Sequence, residues 1–337
     1  MASTNGSEVR IPEARTSPTR KKRSALLAPP EAGLVRDPRW KRSPSPLRRA
    51  ASPAPSRVPP LVEGAGSHPV TSPKAEGNLR IITWNMNGLD VRDTVERAQA
   101  VCDILKGLSP DVVFLQEVVP RTLEVITESM SGSFGIATGG TLSAYFTVAL
   151  IRKTRDMAIR KSRVLAYPNS RSSRNLLVVH VCFEDVELAL MTSHLESMPS
   201  NRPERILQFC QVMREMQQED PDKIVIFGGD TNLDYEVAPT GGVPAGIVDL
   251  WVEFGQEERT KFTKDTSVNK NVQSRTGTIH KLRPDRVYMR PASKSDRCMR
   301  VTSFGLIGKE RVPACNNRFP SNHWGVMCDF EVVTEKH

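Results

Sequence analysis

Six short polar clusters recur down the C-terminal three-quarters of this 337-residue chain. They are Thr83-Trp84-Asn85, Leu115-Gln116-Glu117, Ser193-His194-Leu195-Glu196-Ser197, Gly228-Gly229-Asp230-Thr231-Asn232, Arg283-Pro284-Asp285 and Ser321-Asn322-His323-Trp324. Most follow or sit inside an apolar, β-branched run. Strand ends that each deliver one carboxylate, amide or imidazole to a shared cleft suit the metal-assisted cleavage of phosphate esters. A phosphodiester resists attack because its own negative charge repels nucleophiles. Its hydrolysis calls for a divalent cation, a group that orients or deprotonates water, and donors for the charge that builds on the phosphoryl oxygens.

The residue types divide along those lines. Mg²⁺ prefers oxygen donors and keeps several waters, so one or two carboxylates suffice. Glu117, at the end of an apolar strand, is the best primary ligand, although a glutamate there also caps the segment that follows. Asp230 and Asn232 lie two apart and in an extended chain would point to the same side. The carboxylate would then polarise or deprotonate a water that the amide holds in line; an Asx turn closing the strand is the alternative. Asp285 could hydrogen-bond His323 and fix its tautomer and charge, with the charged imidazole stabilising the transition state. His194 would be a second donor from the opposite side. His180, inside an apolar strand without a polar cluster, reads as structural, and His280, in a loop, stays undecided.

Holding such groups requires a strand-rich core. The pattern predicts a strand at Ile81–Trp84 and a helix over residues 91–108, with Val91, Val95, Ala98, Cys102 and Leu105 in three-to-four spacing and a stop at Gly107 and Pro110. A compact strand, Val112–Leu115, ends at Glu117; a helix runs from Pro120 to Met130, and a strand from Tyr145 to Ile151. Leu176–Phe183 and Val186–Met191 flank Glu184-Asp185 as a hairpin. Residues 203–218 form an amphipathic helix with Pro203 in its first turn and Ile206, Phe209, Cys210 and Met213 on one face. Ile224–Phe227 is an interior strand, Ile247–Phe254 a short helix and 256–281 a long polar loop. Arg286–Met289, Val301–Leu306 and Trp324–Val332 are the last strands. Strands in hairpin-like order with helices between them imply an α/β protein of two packed sheets with helices outside. No repeat of 20–50 residues is present.

Charge is unevenly spread. Residues 1–77 hold fourteen Lys/Arg against six Asp/Glu, +8 of the formal net +9, and thirteen of the twenty-five prolines. This segment has too little apolar surface to offset its ordering entropy, so it reads as a disordered basic tail, with the folded domain at 78–337. Its Arg20-Lys21-Lys22-Arg23 and Arg39-Trp40-Lys41-Arg42 clusters suit nuclear import or attraction to nucleic acid, with a solvated tail or an organellar leader as competing readings. None of the six cysteines has metal-ligand spacing, and they read as free thiols in a reducing compartment. No run of 18 apolar residues occurs, so no membrane span is expected.

The clusters resemble the endonuclease/exonuclease/phosphatase superfamily, and within it the tyrosyl-DNA phosphodiesterases of type 2. The resemblance runs from about residue 79 to 332. It is carried by Thr83–Leu89 (TWNMNGL), Leu115–Val118 (LQEV), Tyr145-Phe146-Thr147, Arg174–Leu177 (RNLL), Thr192–Ser197 (TSHLES), Gly229–Leu233 (GDTNL), Lys281–Arg286 (KLRPDR) and Arg318–Gly325 (RFPSNHWG). It implies a DNase I-like four-layer α/β sandwich with two central, mostly antiparallel sheets. The implied activity is Mg²⁺-dependent hydrolysis, with Mn²⁺ as a substitute, of the bond between a topoisomerase II tyrosine and a DNA 5′ end, leaving a 5′-phosphate. By resemblance Asn85, Glu117, Asp230, Asn232, Asp285 and His323 form the core site. Arg174, His194 and Ser197 contact the phosphate, Tyr145 contacts DNA, and Asn322 lies beside the metal.

The implied setting is DNA repair, by a monomer, in the nucleus with a cytoplasmic fraction. Three departures stand out: Asn322 where the family has aspartate, Lys264 where a tryptophan walls the DNA groove, and Asp234 where arginine is usual. The ubiquitin-binding segment of some relatives has no counterpart. Two other readings stay open. One is another phosphodiesterase of the superfamily, such as an abasic-site endonuclease or RNA exonuclease. The other is a DNA-end-binding protein whose turnover is weakened by Asn322.

Overall fold

The computed structural model describes residues 74–334 except 76, 141, 143, 234–241 and 273–276. The tail expected at 1–77, but for its last few residues, and Asp234 therefore lie outside the described residues. Alternation decides the layers. In β1 (Leu79–Asn85) and β2 (Val112–Val118), Leu79, Ile81, Val112 and Phe114 face one way, and Ile82, Trp84, Val113 and Leu115 the other. Both faces are apolar, so both must be covered. β3 (Phe134–Gly139), β4 (Phe146–Arg152), β13 (Arg297–Ile307) and β14 (Gly325–Thr334) complete this sheet in the order β13-β14-β1-β2-β4-β3. The second sheet contains β5 (Met157–Ala166), β6 (Asn175–Phe183), β7 (Val186–Ser193), β8 (Ile224–Asp230), β9 (Val248–Asp249) and β12 (Asp285–Arg290), in the order β5-β6-β7-β8-β12-β9. A two-stranded ribbon joins β10 (Lys264–Asp265) to β11 (Lys281–Leu282).

The inner faces of the two sheets share one core, where Ile81 and Phe114 meet Val179, Leu190, Ile226 and Val287. The outer face of the first sheet packs on α1 (Thr94–Leu108) and α2 (Pro120–Met130) through Val101, Leu105 and Ile126. The outer face of the second packs on α3 (Arg202–Gln218) through Phe209, Val212 and Met216. A four-layer α/β/β/α sandwich results. All the strand pairs within it are antiparallel except β1 with β2 and β7 with β8. The sheets approach closely at Gly228, where an added Cβ would fall 2.8 Å from the Phe114 ring and 3.2 Å from Thr83 Cβ.

Several sequence readings shift. The first helix starts at Thr94 rather than residue 91, because residues 87–93 turn, with Asn87 and Asp93 at φ of +51° and +49° and Val91 exposed. β3 and β5 carry too few aligned apolar residues to stand out. The residues after Ile247 divide into β9 and a single-turn helix α4 (Leu250–Glu253). The segment expected as a long polar loop at 256–281 instead carries a 3-10 turn at Glu258–Thr260 and the β10–β11 ribbon, and buried amides anchor it. Asn269 Nδ2 donates to Ser321 O at 2.9 Å, and Asn271 Nδ2 to Phe319 O at 2.7 Å. All six cysteines are free. His180 lies buried on β6 with Nε2 2.9 Å from Glu219, in keeping with a structural role. Among the described residues, no helix is long and apolar enough to cross a membrane.

Candidate active site

The polar groups converge on Oδ2 of Asp230, the last residue of β8. Asn85, the last residue of β1, donates Nδ2 to it across 2.8 Å; His194 Nε2 lies 3.3 Å away and His323 Nε2 4.0 Å away. Register produces this meeting. β12 runs antiparallel to β8 with Asp285 opposite Asp230, and His194 forms a parallel bridge to Asp230 just beyond β7. Asn85 arrives from the other sheet, so the site straddles the seam between them. His323 is held twice. Its Nδ1 stands 2.8 Å from Asp285 Oδ2, which also accepts the Thr263 hydroxyl at 2.5 Å, and its carbonyl accepts the Trp84 indole N–H at 3.0 Å.

Glu117 completes the line, with a carboxylate oxygen 4.0 Å from His194 Nε2. Pairing between β2 and β4 slips between Leu115 and Val118, and Glu117 has φ of +53°, so a bulge re-aims the side chain at the strand's end. Gly88 permits this, since a Cβ there would lie 2.0 Å from the Glu117 carbonyl oxygen. Steps of 4.0, 3.3 and 4.0 Å thus link Glu117 to His194, Asp230 and His323. That spacing is within the reach of one phosphate and its ion.

Beyond His194 an open cleft is lined by Glu117, Tyr145, Thr147, Arg174 and Asn175, among others. The Arg174 guanidinium stacks 4.6 Å from the Tyr145 ring centroid, and that ring meets His194 edge-on at 6.4 Å. Arg174 makes no ion pair among the described residues, so its charge is free for an anion.

Charge states follow from the packing. Burial would raise the Asp230 carboxyl, but His323, Lys264 and the Asn85 hydrogen bond hold the group below the usual carboxylate range. Burial, reinforced by Arg174, pushes His194 well below its ordinary value despite the pull of Asp230, so its imidazole is neutral. Neutral His194 offers a single N–H.

The residues fit a hard cation. Glu117 forms no ion pair with lysine or arginine among the described residues, and Asn322 Oδ1 is buried without a hydrogen-bond partner. Asp230, Asp285 and His323 also bring potential ligand atoms within 4.8 Å of one another. In that trio the 2.8 Å contact already commits Nδ1 and one Asp285 oxygen. Glu117 and Asn322, by contrast, keep oxygens that no hydrogen bond or Lys/Arg ion pair commits among the described residues.

Two expected residues sit differently. Asn232 is not extended but at φ of +48°. Its N–H donates to Asp230 Oδ1 at 2.9 Å and its Nδ2 to Leu195 O at 3.0 Å. The Asx turn is what forms, and the amide nitrogen is committed to the fold, which leaves only the oxygen for a ligand. Ser197 lies half-buried three residues past His194 and has no hydrogen bond among the described residues. Lys264, on the ribbon, adds its charge to the environment of both Asp230 and His194. Sequence reasoning missed Thr263, which grips Asp285, and Gln116, whose Nε2 ties Thr83 to Thr192 across the sheets at 3.0 and 3.1 Å. It also missed Arg97, fully buried and donating to the carbonyls of Met86, Asn87 and Pro320 beneath the first and last clusters. Gln116 lies inside a quoted motif; Thr263 and Arg97 carry no local signal.

Residues 82–322 match the model of the endonuclease/exonuclease/phosphatase family. Tyrosyl-DNA phosphodiesterase 2 of Gallus gallus is 44% identical over 257 residues, 76% of this chain and 68% of that protein. The Homo sapiens protein is 39% identical over 75% of this chain and 68% of its own length. The chain belongs to the tyrosyl-DNA phosphodiesterase 2 family. Its fold agrees with the crystal structure of Danio rerio TDP2 complexed with single strand DNA product, at a TM-score of 0.72 and 36% identity over 76% of this chain and 100% of that one. As a tyrosyl-DNA phosphodiesterase 2 family member it is a metal-dependent phosphodiesterase of the hydrolase class, with the four-layer sandwich of that family.

Proposed function

We propose that this chain hydrolyses the phosphodiester joining a tyrosine, on a topoisomerase II remnant, to a DNA 5′ end, leaving a 5′-phosphate, and so acts in DNA repair. The observation that carries the reading is the line from Glu117 through His194 and Asp230 to His323 and Asp285, opening beside an unpaired Arg174. The names of its relatives and the DNA product in the Danio rerio structure support the same substrate class.

Glu117 and the Asn322 carbonyl oxygen would hold the ion, which we take to be Mg²⁺ with Mn²⁺ as substitute, since an all-oxygen set suits both. When bound, it supplies Lewis-acid stabilisation of phosphoryl charge. Asp230, ionised, accepts a hydrogen bond from the attacking water and takes up its proton as the new P–O bond forms. The Asn85 amide fixes that carboxylate. Neutral His194, through its single N–H, and the Arg174 guanidinium face the charge that builds on the phosphoryl oxygens. His323, held by Asp285, donates from the other side. The leaving phenol has a pKa near 10, far below that of a sugar hydroxyl, so no strong proton donor is needed.

Release of product from a 5′-tyrosyl oligonucleotide, with and without Mg²⁺ or Mn²⁺ and with Glu117→Gln as the blank, tests the reading. Tight binding without cleavage would favour the end-binding alternative, for which the missing charge at Asn322 is the specific argument. Cleavage only of abasic DNA or RNA would move the chain to another branch of the superfamily. We further propose a nuclear monomer with a cytoplasmic fraction. A reporter fused to residues 1–77 that stays cytoplasmic would refute the address.

A further inference from the structure

Glu196 is fully buried two residues beyond His194 and forms no ion pair with an arginine or lysine among the described residues. Against the effect of burial, its hydrogen bonds to Ser170, Ser172 and Arg171, with the charge of Arg174 nearby, hold its carboxyl below the usual range. All its partners come from elsewhere in the loops. Oε1 accepts from the Arg171 N–H at 2.8 Å, the Ser170 hydroxyl at 2.8 Å and the Ser172 N–H at 3.1 Å. Oε2 takes the Ser172 hydroxyl and Asn201 Nδ2, both at 3.3 Å. Four of these five donors belong to one short turn, and that turn ends at Arg174. The Ser170 hydroxyl that donates to Glu196 also accepts the Arg174 N–H at 2.7 Å, so one atom relays the carboxylate to the arginine backbone.

Glu196 itself is immobilised from behind. Its N–H donates to Gln208 Oε1 at 2.8 Å, and its carbonyl accepts from Arg205 at 2.9 Å, so α3 clamps the carboxylate's own backbone. Those two inward polar residues are why the buried face of α3 runs through Arg205, Gln208, Phe209, Val212, Met213 and Met216, and leaves the expected Ile206 and Cys210 half-buried.

Arg174 needs such a mount. Its guanidinium has no carboxylate partner among the described residues and stacks on the Tyr145 ring, and the residue before it, Ser173, holds φ of +55°. A free arginine carries about 2 kcal/mol of rotamer entropy; burial against Tyr145 holds the side chain, and a fixed backbone sets where that packed side chain points. A carboxylate beside the guanidinium would fix it too, but would neutralise the charge the substrate requires.

We propose that Glu196 is a positioning residue for phosphodiester hydrolysis: it latches the Ser170–Arg174 turn through its backbone and hydroxyl donors and so aims the Arg174 guanidinium at the substrate phosphate without forming an ion pair with it. This rests on the phosphodiesterase reading of the site. The carboxylate acts through charge-assisted hydrogen bonds to the turn, which are shorter and stronger than neutral ones, so its replacement by an amide of the same shape loosens the latch.

The test is a double-mutant cycle in the full chain with Glu196→Gln, Arg174→Gln and the pair. Rates are read on a 5′-tyrosyl oligonucleotide and on the chromogenic diester thymidine 5′-(p-nitrophenyl phosphate). Arg174→Gln should lower kcat about 10²-fold and Glu196→Gln about 10-fold. The pair should be no slower than Arg174→Gln alone. Loss in the pair equal to the product of the single losses, or no loss with Glu196→Gln, would overturn the proposal. A general folding defect would multiply through every variant and so produce the first of these. If Glu196→Gln fails to fold, Ser170→Ala, which removes only the relay hydroxyl, takes its place with the same two outcomes. A wild-type enzyme active on the chromogenic diester alone would sink the tyrosyl-DNA reading while leaving the cycle fully readable.

Discussion

Oδ2 of Asp285 stands 2.8 Å from Nδ1 of His323, and the same imidazole turns Nε2 toward Oδ2 of Asp230 at 4.0 Å. One buried carboxylate therefore sets which nitrogen of His323 is offered to the reaction. Asp285→Asn keeps the size of the side chain and removes the charge. It should lower kcat about 10²- to 10³-fold with little change in KM or in the thermal midpoint. Steady-state kinetics beside a melting curve check this; a melt shifted by more than ten degrees would instead mark a folding role.

Thr263 reaches the same Asp285 oxygen from the long loop. Thr263→Val removes its hydroxyl at nearly constant volume and frees the carboxylate to turn. A fall in kcat of about 10-fold is expected, smaller than for Asp285→Asn. The pair should be less than additive, because both act on one imidazole.

Asn322, next to His323 in the chain, has a buried carbonyl oxygen without a hydrogen-bond partner, and in the proposed function that oxygen goes to the cation. Asn322→Asp adds a charge there, and the Mg²⁺ concentration for half-maximal rate should fall about 10-fold. A titration of rate against Mg²⁺ reads the shift directly. An unchanged or higher requirement would mean that this oxygen does not face the ion.

His194 gives a pH signature. Burial, with Arg174, lowers its pKa well below 6.5 in the folded state, whereas in the unfolded chain it takes up a proton near 6.5. Below that pH the unfolded chain binds more protons than the native state, so stability falls as the pH falls. The contribution is about 1.4 kcal/mol per pH unit from 6.5 downward until the folded group titrates. In metal-free protein, the stability difference between wild type and His194→Asn should therefore move against wild type between pH 7.5 and 5.5. Denaturant melts at the two pH values test it.

The core of the fold is written in alternation. Ile81 and Ile82, or Val112 and Val113, announce strands buried on both faces, and Pro120 fixes the start of α2. The clusters at the strand ends are equally plain, because chemistry demands unusual residue types next to apolar runs. What the sequence hides is polarity serving the fold. Arg205 and Gln208 look like a solvent face and in fact hold the Glu196 backbone. Asn269 and Asn271 look like loop residues and tether the Phe319–Ser321 backbone. Asn232 shows why spacing alone misleads: i and i+2 share a side only in an extended chain, and a left-handed residue breaks that rule. Such partners lie far apart along the chain, and no local pattern records them.

Asn85 and Glu117 ride on one sheet, Asp230 and Asp285 on the other, and at Gly228 the absence of a side chain leaves room for Phe114 and Thr83 of the facing sheet. The gap across which the enzyme works is thus a dimension of its interior, as in a pair of callipers whose jaws are ground by the core. A methyl group inserted at Gly228 would spread the jaws without touching any reacting atom. Catalytic rate in this protein should accordingly be a sensitive gauge of how tightly its two halves are pressed together.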